Sequence, residues 1–453
     1  MDATLDIKNL TEGPVARKLY RFALPIICTN LLQAVYNLVD MLIVGRVLGS
    51  AGITSVNVGG QIVMVVFSII NAYAIAEAVL VGQLMGAKSE KEISRVVNTM
   101  LLFSLLIATG LIVCLIGFSG PLLHAMNVPE EAFAGTRTYL IVYMCGTYFV
   151  YIYNILYGLL RGIGNSTAPM VFACISTGVN IALDVLFVVV LRLGTGGAAF
   201  ATILSQALSM ILMIWFVQKR VTVYHFLLKE LRIAKNWLRE SLRVGLPQIC
   251  QFVLTNISFL LISALINSYG VNASAAVGAI NKIYTFAVLP GQAMMSALVT
   301  MTAQNLPGKN YVRIRKGLGF GILLSALIGF GVWTVCQLFP GQLLSAFTSE
   351  SGVIAVGIPF MRIFIWCVLV ENVMFCFNGQ LTGAGYTQIT MVASLISAFA
   401  VRFGFAYLLS QATPLGFNGI AYAYIIGPAF QLAVAGLFIL SGRWKKPRVR
   451  LQE

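Results

Sequence analysis

Four acidic side chains, Asp40, Glu77, Asp184 and Glu371, fall in stretches otherwise apolar enough to cross a bilayer. Insertion scales put a carboxylate at mid-membrane at roughly 2.5 to 3.5 kcal/mol unfavourable, so such residues are expected to face protein or water and to be functional. In residues 25–49, PIICTNLLQAVYNLVDMLIVGRVLG, the positions Gln33, Tyr36, Asn37 and Asp40 recur at steps of three and four and so share one helical face. In TGVNIALDVLFVVV, Asn180 precedes Asp184 by one helical turn, which puts an amide and a carboxylate on a common face. If Asp40 and Asp184 look into one cavity, desolvation and mutual repulsion favour a bound proton, as a proton carrier requires. The same oxygens, with nearby amides and hydroxyls, equally form a hard site suited to Na⁺. The competing reading of each acid is a buried ion pair with Lys282, Arg362 or Arg402, the basic residues that also fall inside apolar segments. Glu371, next to Asn372, is expected to line the second half of the chain.

These residues must be positioned by membrane helices. Of 453 residues, 59% are hydrophobic and 10% charged, which is outside the range of soluble domains. About twelve segments have spanning length, near residues 16–44, 53–80, 92–118, 132–157, 166–190, 196–219, 240–268, 274–303, 312–338, 352–378, 387–410 and 416–440. The first has no cleavable-signal layout, so the N terminus is expected to be retained. The net charge of +15 is not the mark of a nucleic-acid binder, because most of the 30 Lys and Arg lie in the N-terminal leader, alternate loops and the C-terminal tail. The positive-inside rule reads that alternation as cytoplasmic N and C termini in a multi-pass plasma (inner) membrane protein with an even number of spans. The eight cysteines stand singly and read as packing residues. With two histidines, and with no HExxH, Walker A or GxSxG stretch, the sequence offers no enzyme site and calls for no cofactor.

At a shift of about 221 residues the second half repeats the first. Pro25-Ile-Ile-Cys28 meets Pro247-Gln-Ile-Cys250; Gln83, Lys88 and Ile93 meet Gln304, Lys309 and Ile314; GLLRGIG from Gly158 meets GQLTGAG from Gly379; Gly197 meets Gly419. The expected fold is therefore an all-α polytopic membrane protein of twelve transmembrane helices, in two six-helix lobes related by a pseudo-two-fold axis along the membrane normal, with a cavity between them. The expected organisation is an N-terminal lobe (1–217), a basic cytoplasmic linker (218–241), and a C-terminal lobe with a basic tail (242–453). Within the linker Phe226, Leu227, Leu231, Trp237 and Leu238 alternate with Lys229, Arg232, Lys235 and Arg239. That pattern fits either an amphipathic helix on the cytoplasmic membrane face or a solvated loop that fixes topology. The glycines at 158, 162, 164, 379, 383 and 385 are expected in caps and tight turns, and Pro25 and Pro247 as kinks.

The sequence resembles the multidrug and toxic compound extrusion (MATE) family over essentially its whole length. The pieces that carry the resemblance are residues 11–26, TEGPVARKLYRFALPI; 35–49, VYNLVDMLIVGRVLG; 161–170, RGIGNSTAPM; 180–189, NIALDVLFVV, with 196–206, GGAAFATILSQ; and 302–310, TAQNLPGKN. The resemblance implies an antiporter that exports organic cations and amphipathic compounds in exchange for H⁺ or Na⁺ by alternating access, working in the bilayer as a monomer. It places the coupling site of the N-terminal lobe on Asp40, Asn180, Asp184 and Thr202, the residues that would also hold Na⁺. Gln33, Tyr36, Tyr139 and Asn154 match neighbouring polar positions of the substrate cavity. Other branches carry an acid in the seventh span, whereas residues 247–270 contain none, and Glu77 matches no family position. A flippase for lipid-linked oligosaccharide or polysaccharide is the rival reading, drawing on Lys282, Arg362 and Arg402; a membrane-embedded enzyme or receptor lacks both a catalytic constellation and a sensor domain.

Overall fold

The computed structural model describes residues 10–225, 231–446 and 448–449, with the backbone alone at Asn37 and Leu38. All regular structure among these residues is helical. In chain order the elements are α1 (Val15–Gly86), α2 (Glu90–Gly117), α3 (Ser119–Ala125), α4 (Glu130–Cys145), α5 (Thr147–Gly162), α6 (Thr167–Asp184) and α7 (Gly194–Arg220). They continue with α8 (Lys235–Asn267), α9 (Val271–Asn305), α10 (Tyr311–Leu338), α11 (Pro340–Ser345), α12 (Ser351–Phe364) and α13 (Trp366–Gly383). The last three are α14 (Thr387–Leu395), α15 (Gly404–Gln411) and α16 (Phe417–Leu440). Ten helical stretches are long and apolar enough to cross a membrane, and α4 with α5, bent by 50° at their junction, form an eleventh. α1 supplies two crossings by itself. Its 72 residues would run about 108 Å at 1.5 Å per residue, far beyond a hydrocarbon core of about 30 Å. It breaks at Gly49, whose φ of 67° and ψ of −159° lie in a region open essentially to glycine alone. The expected twelve spans are thereby accounted for.

The internal repeat is written into the backbone as well as the sequence. At an offset of about 221 residues, Gly49 (φ 67°) pairs with Gly270 (φ 93°), Lys88 (φ 58°) with Lys309 (φ 54°), Gly164 (φ 88°) with Gly385 (φ 82°), and Gly194 (φ 64°) with Gly416 (φ 51°). Left-handed residues at matched positions mean that the two halves end their helices in the same way. The close helix crossings match too. A Cβ at Gly158 would lie 2.7 Å from the Ala74 carbonyl oxygen, and one at Gly379 2.6 Å from that of Met295. Gly162 meets the Ala78 carbonyl and Gly383 that of Val299. Four of the six glycines expected in caps and turns are thus small-xxx-small contact residues that let two backbones touch, while Gly164 and Gly385 do sit in turns.

The chain packs as two compact units. One runs from Cys28 to Gly245; the other joins Leu10–Ile27 to the chain from Leu246 onward. The second unit holds its N-terminal segment firmly. Leu19, Phe22, Ala23 and Ile26 are buried against Ala293, Met294, Ala297 and Leu298 of α9. Gln304 Oε1 accepts from the Leu10 amide at 3.0 Å, and Arg313 donates to the carbonyls of Leu10, Glu12 and Gly13 at 3.0, 3.0 and 2.7 Å. The TAQNLPGKN stretch therefore anchors the start of the chain. Large apolar side chains such as Leu42, Val113, Leu260 and Leu437 are more than half exposed, as helices that face lipid require.

The linker differs from the amphipathic-helix expectation. Residues 226–230, with Phe226, Leu227 and Lys229, lie outside the described residues. α7 reaches Arg220 and α8 begins at Lys235, so Trp237, Leu238 and Arg239 belong to the head of a spanning helix. Trp237 is buried and its Nε1 donates to Glu92 Oε2 on α2 at 2.9 Å, a protein contact in place of a lipid one.

Candidate coupling site in the first unit

The site is built from α6 outward. Phe172, Ser176, Asn180 and Asp184 are buried at steps of four residues, forming one narrow stripe on a helix otherwise open to lipid. Immediately after Asp184 the helix widens into π-type turns over Val185–Val190, a distortion frequent at functional positions. α7 presents Thr202, Ser205 and Ser209 toward the interior. Ser176 Oγ donates to the Ser205 carbonyl at 2.8 Å and Ser205 Oγ to that of Thr202 at 2.8 Å, which locks α6 and α7 together beside the site.

Asn180 joins the two helices. With its amide turned as its neighbours require, its nitrogen donates to Asp184 Oδ2 at 2.9 Å and its oxygen accepts from the Thr202 backbone N–H at 3.2 Å. Thr202 spends its hydroxyl proton on the Ala198 carbonyl at 3.0 Å. The 3.1 Å contact between Tyr36 Oη and Thr202 Oγ1 therefore has Tyr36 as donor. This chain of bonds satisfies one oxygen of Asp184 and leaves the other, Oδ1, buried with no partner; Asp40 Oδ1 is in the same condition. The two carboxyl groups are close enough for their charges to interact, and both act on the hydroxyls of Tyr36 and Tyr139. Buried polar oxygens without partners are rare in folded proteins and mark a place where a proton or cation fits.

Asp40, Asn180, Asp184, Thr202, Tyr36 and Tyr139 thus form one cluster in the first unit. The remaining residues expected in the substrate cavity are Asn154, Gln33 and Asn37. Asn154 is buried on α5 but donates to its own helix, to the Val150 carbonyl at 2.8 Å. Gln33 is exposed. The side chain of Asn37 lies outside the described residues. Two residues not singled out from sequence belong here. Tyr143 packs on Tyr139 with ring centres 6.3 Å apart, one turn along α4, and a Cβ at Gly59 would come within 2.6 Å of the Tyr139 ring. The spacing of Tyr139 and Tyr143 was a signal for the first; a lone glycine carried none.

Of the three basic residues offered as ion-pair partners, only Arg402 attends an acid, and that acid is Glu371 in the second unit. Arg402 acts electrostatically on Glu371, whose Oε2 accepts the Tyr284 hydroxyl proton. The guanidinium lies 4.1 Å from the Phe259 ring centre and 5.8 Å from that of Tyr424, and its Nη2 reaches Ser258 Oγ at 3.5 Å. Lys282 sits over the Phe347 ring at 5.8 Å. Among the described residues no three His, Cys, Asp or Glu side chains converge as a transition-metal site would need.

Comparison with known proteins agrees with this architecture. The MatE family model matches residues 25–186 and again residues 247–408, one copy in each half. The probable multidrug resistance protein YoeA of Bacillus subtilis is 26% identical over 449 residues, covering 97% of this chain and 96% of its own. The probable multidrug resistance protein YpnP of the same organism is 27% identical over 437 residues, covering 96% and 97%. A solved structure described as the outward-facing conformation of a multidrug resistance MATE family transporter of the MOP superfamily superposes with a TM-score of 0.91 at 21% identity, covering 98% of this chain and 99% of the other. The chain is a multi-pass membrane protein and belongs to the MATE family of transporters.

Proposed function

We propose that this protein is a secondary antiporter that exports cationic or amphipathic organic compounds in exchange for H⁺ or Na⁺, with Asp40, Asn180, Asp184 and Thr202 as the coupling site. The observation that carries this reading is the pair of buried, unpartnered carboxylate oxygens on Asp40 and Asp184, beside an amide and two hydroxyls already aligned around them. A proton neutralises such a pair; a Na⁺ ion finds hard oxygen ligands there. A cationic substrate competes for the same charge. Coupling then consists of mutually exclusive occupancy, each ligand shifting the access equilibrium only by its differential affinity for the two faces. The chain works as a monomer with both termini cytoplasmic. Exchange of one ion for one monocation moves no net charge, whereas each further positive charge entering adds about 2.3 kcal/mol per 100 mV. Two carboxyl groups in one pocket give room for that second charge.

The test is efflux of a fluorescent cationic dye from cells expressing wild type, Asp40→Asn or Asp184→Asn, with pH and Na⁺ varied separately. Export driven by acid outside, or by added Na⁺, is expected in wild type and absent in both variants. Undiminished export by both variants overturns the site. The rival flippase reading needs a cationic pocket for phosphate, and its best residue, Arg402, is 5% exposed and stacked between aromatic rings.

A further inference from the structure

A third acid of the first unit is not used by this reading. Glu77 lies on the second arm of α1, fully buried, and neither carboxylate oxygen has a partner. The groups around it are accounted for. On its own helix Tyr73, one turn earlier, gives its hydroxyl to a 2.9 Å bond with Ser241 Oγ at the head of α8. α5 packs on this arm, with Tyr151 donating to the Val66 carbonyl at 3.2 Å and Gly158 set against Ala74 and Glu77. Of the charges on the surrounding helices, Glu92 pairs with Arg95 on α2 at 2.7 Å and Glu240 with Arg243 on α8 at 3.6 Å, while Arg161 on α5, buried with Nε and Nη2 unpartnered, lies over the Tyr157 ring at 5.2 Å and forms no ion pair with Glu77. Among the described residues no cation pairs with Glu77.

The internal repeat supplies a control for what this position needs. In the second unit the same crossing, glycine against carbonyl, is made by Gly379 and Met295, and the residue in the place of Glu77 is Leu298, at 3.1 Å from the Cβ position of Gly379 where Glu77 Cβ stands 3.2 Å from that of Gly158. Leu298 is part of the apolar core. The packing is therefore served by a hydrocarbon side chain, and the acid is there for another reason. An ionised carboxylate with no partner in a dry helix interface is far costlier than a neutral one.

We propose that Glu77 is a second proton-binding site of the first unit, separate from Asp40 and Asp184. It is loaded as the carboxylic acid while α5 is closed on α1, and it releases its proton to water, leaving the carboxylate, when that crossing opens. Its depth sets the direction. Glu77 is about 13 Å along the helix from Gly86, after which Lys88, Lys91 and Arg95 follow, whereas Asp40 lies a similar distance from the opposite end, at Gly49. A proton leaving Glu77 exits beside the basic loops, where the positive-inside rule places the cytoplasm. The inference rests on the antiport reading for its use in transport, but the binding itself is measured separately.

The experiment is infrared difference spectroscopy of the full chain in lipid nanodiscs, titrated from acid to alkaline pH, with Asp40→Asn and Asp184→Asn both present so that neither coupling carboxyl contributes. The protonated-carboxyl C=O band is expected to bleach as pH rises, and one component of that bleach, beyond what Glu371 and the surface acids contribute, is expected to be lost on adding either Glu77→Gln or Glu77→Leu. The leucine variant copies Leu298, so a folded protein with native thermal stability is expected from it. In the background with intact Asp40 and Asp184, Glu77→Leu is expected to shift the pH profile of dye efflux. A pH-dependent bleach whose amplitude is unchanged by both Glu77 substitutions overturns the proposal. So does a Glu77 band that never bleaches, since that residue would be a permanently neutral packing group. Failure of the coupling site at Asp40 and Asp184 would appear in the efflux assay and leave the infrared result standing.

Discussion

The first and second units share a backbone and differ in the charge they place at repeat-related positions of the central helices. Pairing Pro25 with Pro247, and Gly197 with Gly419, lays Asp40 over Ile262, Asp184 over Ala406, Asn180 over Arg402 and Thr202 over Tyr424. Both copies of the central helix even change to π-type turns, at Val185–Val190 and at Ile396–Phe403. Where the first unit holds two carboxyl groups with free oxygens, the second has apolar Ile262 and Ala406 and carries a guanidinium stacked on Phe259. Glu371 supplies the compensating negative charge from another helix, with Tyr284 bonded to it. On the proposed reading, the duplicated scaffold carries one group of acids left without a compensating charge and one acid, Glu371, with Arg402 acting on it.

The strongest way to break that contrast is to remove one of the uncompensated acids. Asp184→Asn is expected to abolish ion-driven dye export, reducing it by tenfold or more, which corresponds to about 1.4 kcal/mol or more of lost coupling. Asp40→Asn is expected to do the same. Ile262→Asp, which places an acid at the repeat-related position, is expected to leave ion-driven export intact and to lower thermal stability by roughly 2.5 to 3.5 kcal/mol, the cost of a buried membrane carboxylate. Ion-driven export that survives Asp184→Asn but fails in Ile262→Asp would reverse the assignment of the two units. Weaker effects are expected from the residues that orient the acids. Thr202→Val removes the acceptor for the Tyr36 hydroxyl while keeping shape, and a lost buried bond of this kind is worth about 1–3 kcal/mol. Dye export is expected to fall several-fold while both carboxyl groups still titrate; an unchanged export rate would show that Tyr36 is held by other means.

The sequence carried the fold at long range because membrane helices announce themselves by length and apolarity, and because the repeat multiplies weak matches. The two spans near 16–44 and 53–80 were legible from apolar length, and the φ of Gly49 adds how one continuous 72-residue helix breaks between them. Asp40, Asn180 and Asp184 were legible as polar residues on shared faces, and the family resemblance added Thr202 and Tyr139. The side of a helix that Asn154 uses for its own backbone could not be read from spacing, and neither could the exposure of Gln33. The contact of Trp237 with Glu92 was not legible, because alternation of apolar and basic residues describes a lipid-lying helix and a helix head docked on a neighbour equally well. The electrostatic effect of Arg402 on Glu371 needed three dimensions, since the two belong to different spans.

If the shared backbone is what the duplication preserves, the crossings that define it should tolerate change equally poorly in both units. Gly158→Ala and Gly379→Ala each drive a methyl group against a carbonyl oxygen, at 2.7 and 2.6 Å, and are expected to destabilise by about 1–3 kcal/mol, read as a lowered melting temperature in detergent. Gly178→Ala, with open space around its Cβ position on α6, is expected to be neutral or to stabilise by up to about 1 kcal/mol. A large loss at one crossing and none at the other would mean that the two units are packed by different rules.

The smallest expected effect on transport, and the sharpest on the comparison, comes from the second unit's own charge pair. Arg402→Gln leaves Glu371 without its positive neighbour, and Glu371→Gln leaves Arg402 without its negative one, so each single change strands a buried charge. The double variant strands neither. Each single variant is therefore expected to lose more stability than the double, with an interaction energy of about 0.5–3 kcal/mol in a double-mutant cycle. Ion-driven dye export by the double variant is expected to stay within about twofold of wild type, a difference of roughly 0.4 kcal/mol. The ion dependence is also informative. With Arg402→Gln alone, the second unit holds an acid left without a compensating charge, as the first does, and export should acquire an added dependence on pH or Na⁺ that disappears in the double variant. If the single variant gains no such dependence, the arginine is a packing element of the aromatic cluster and the electrostatic contrast between the two units does not explain where coupling resides.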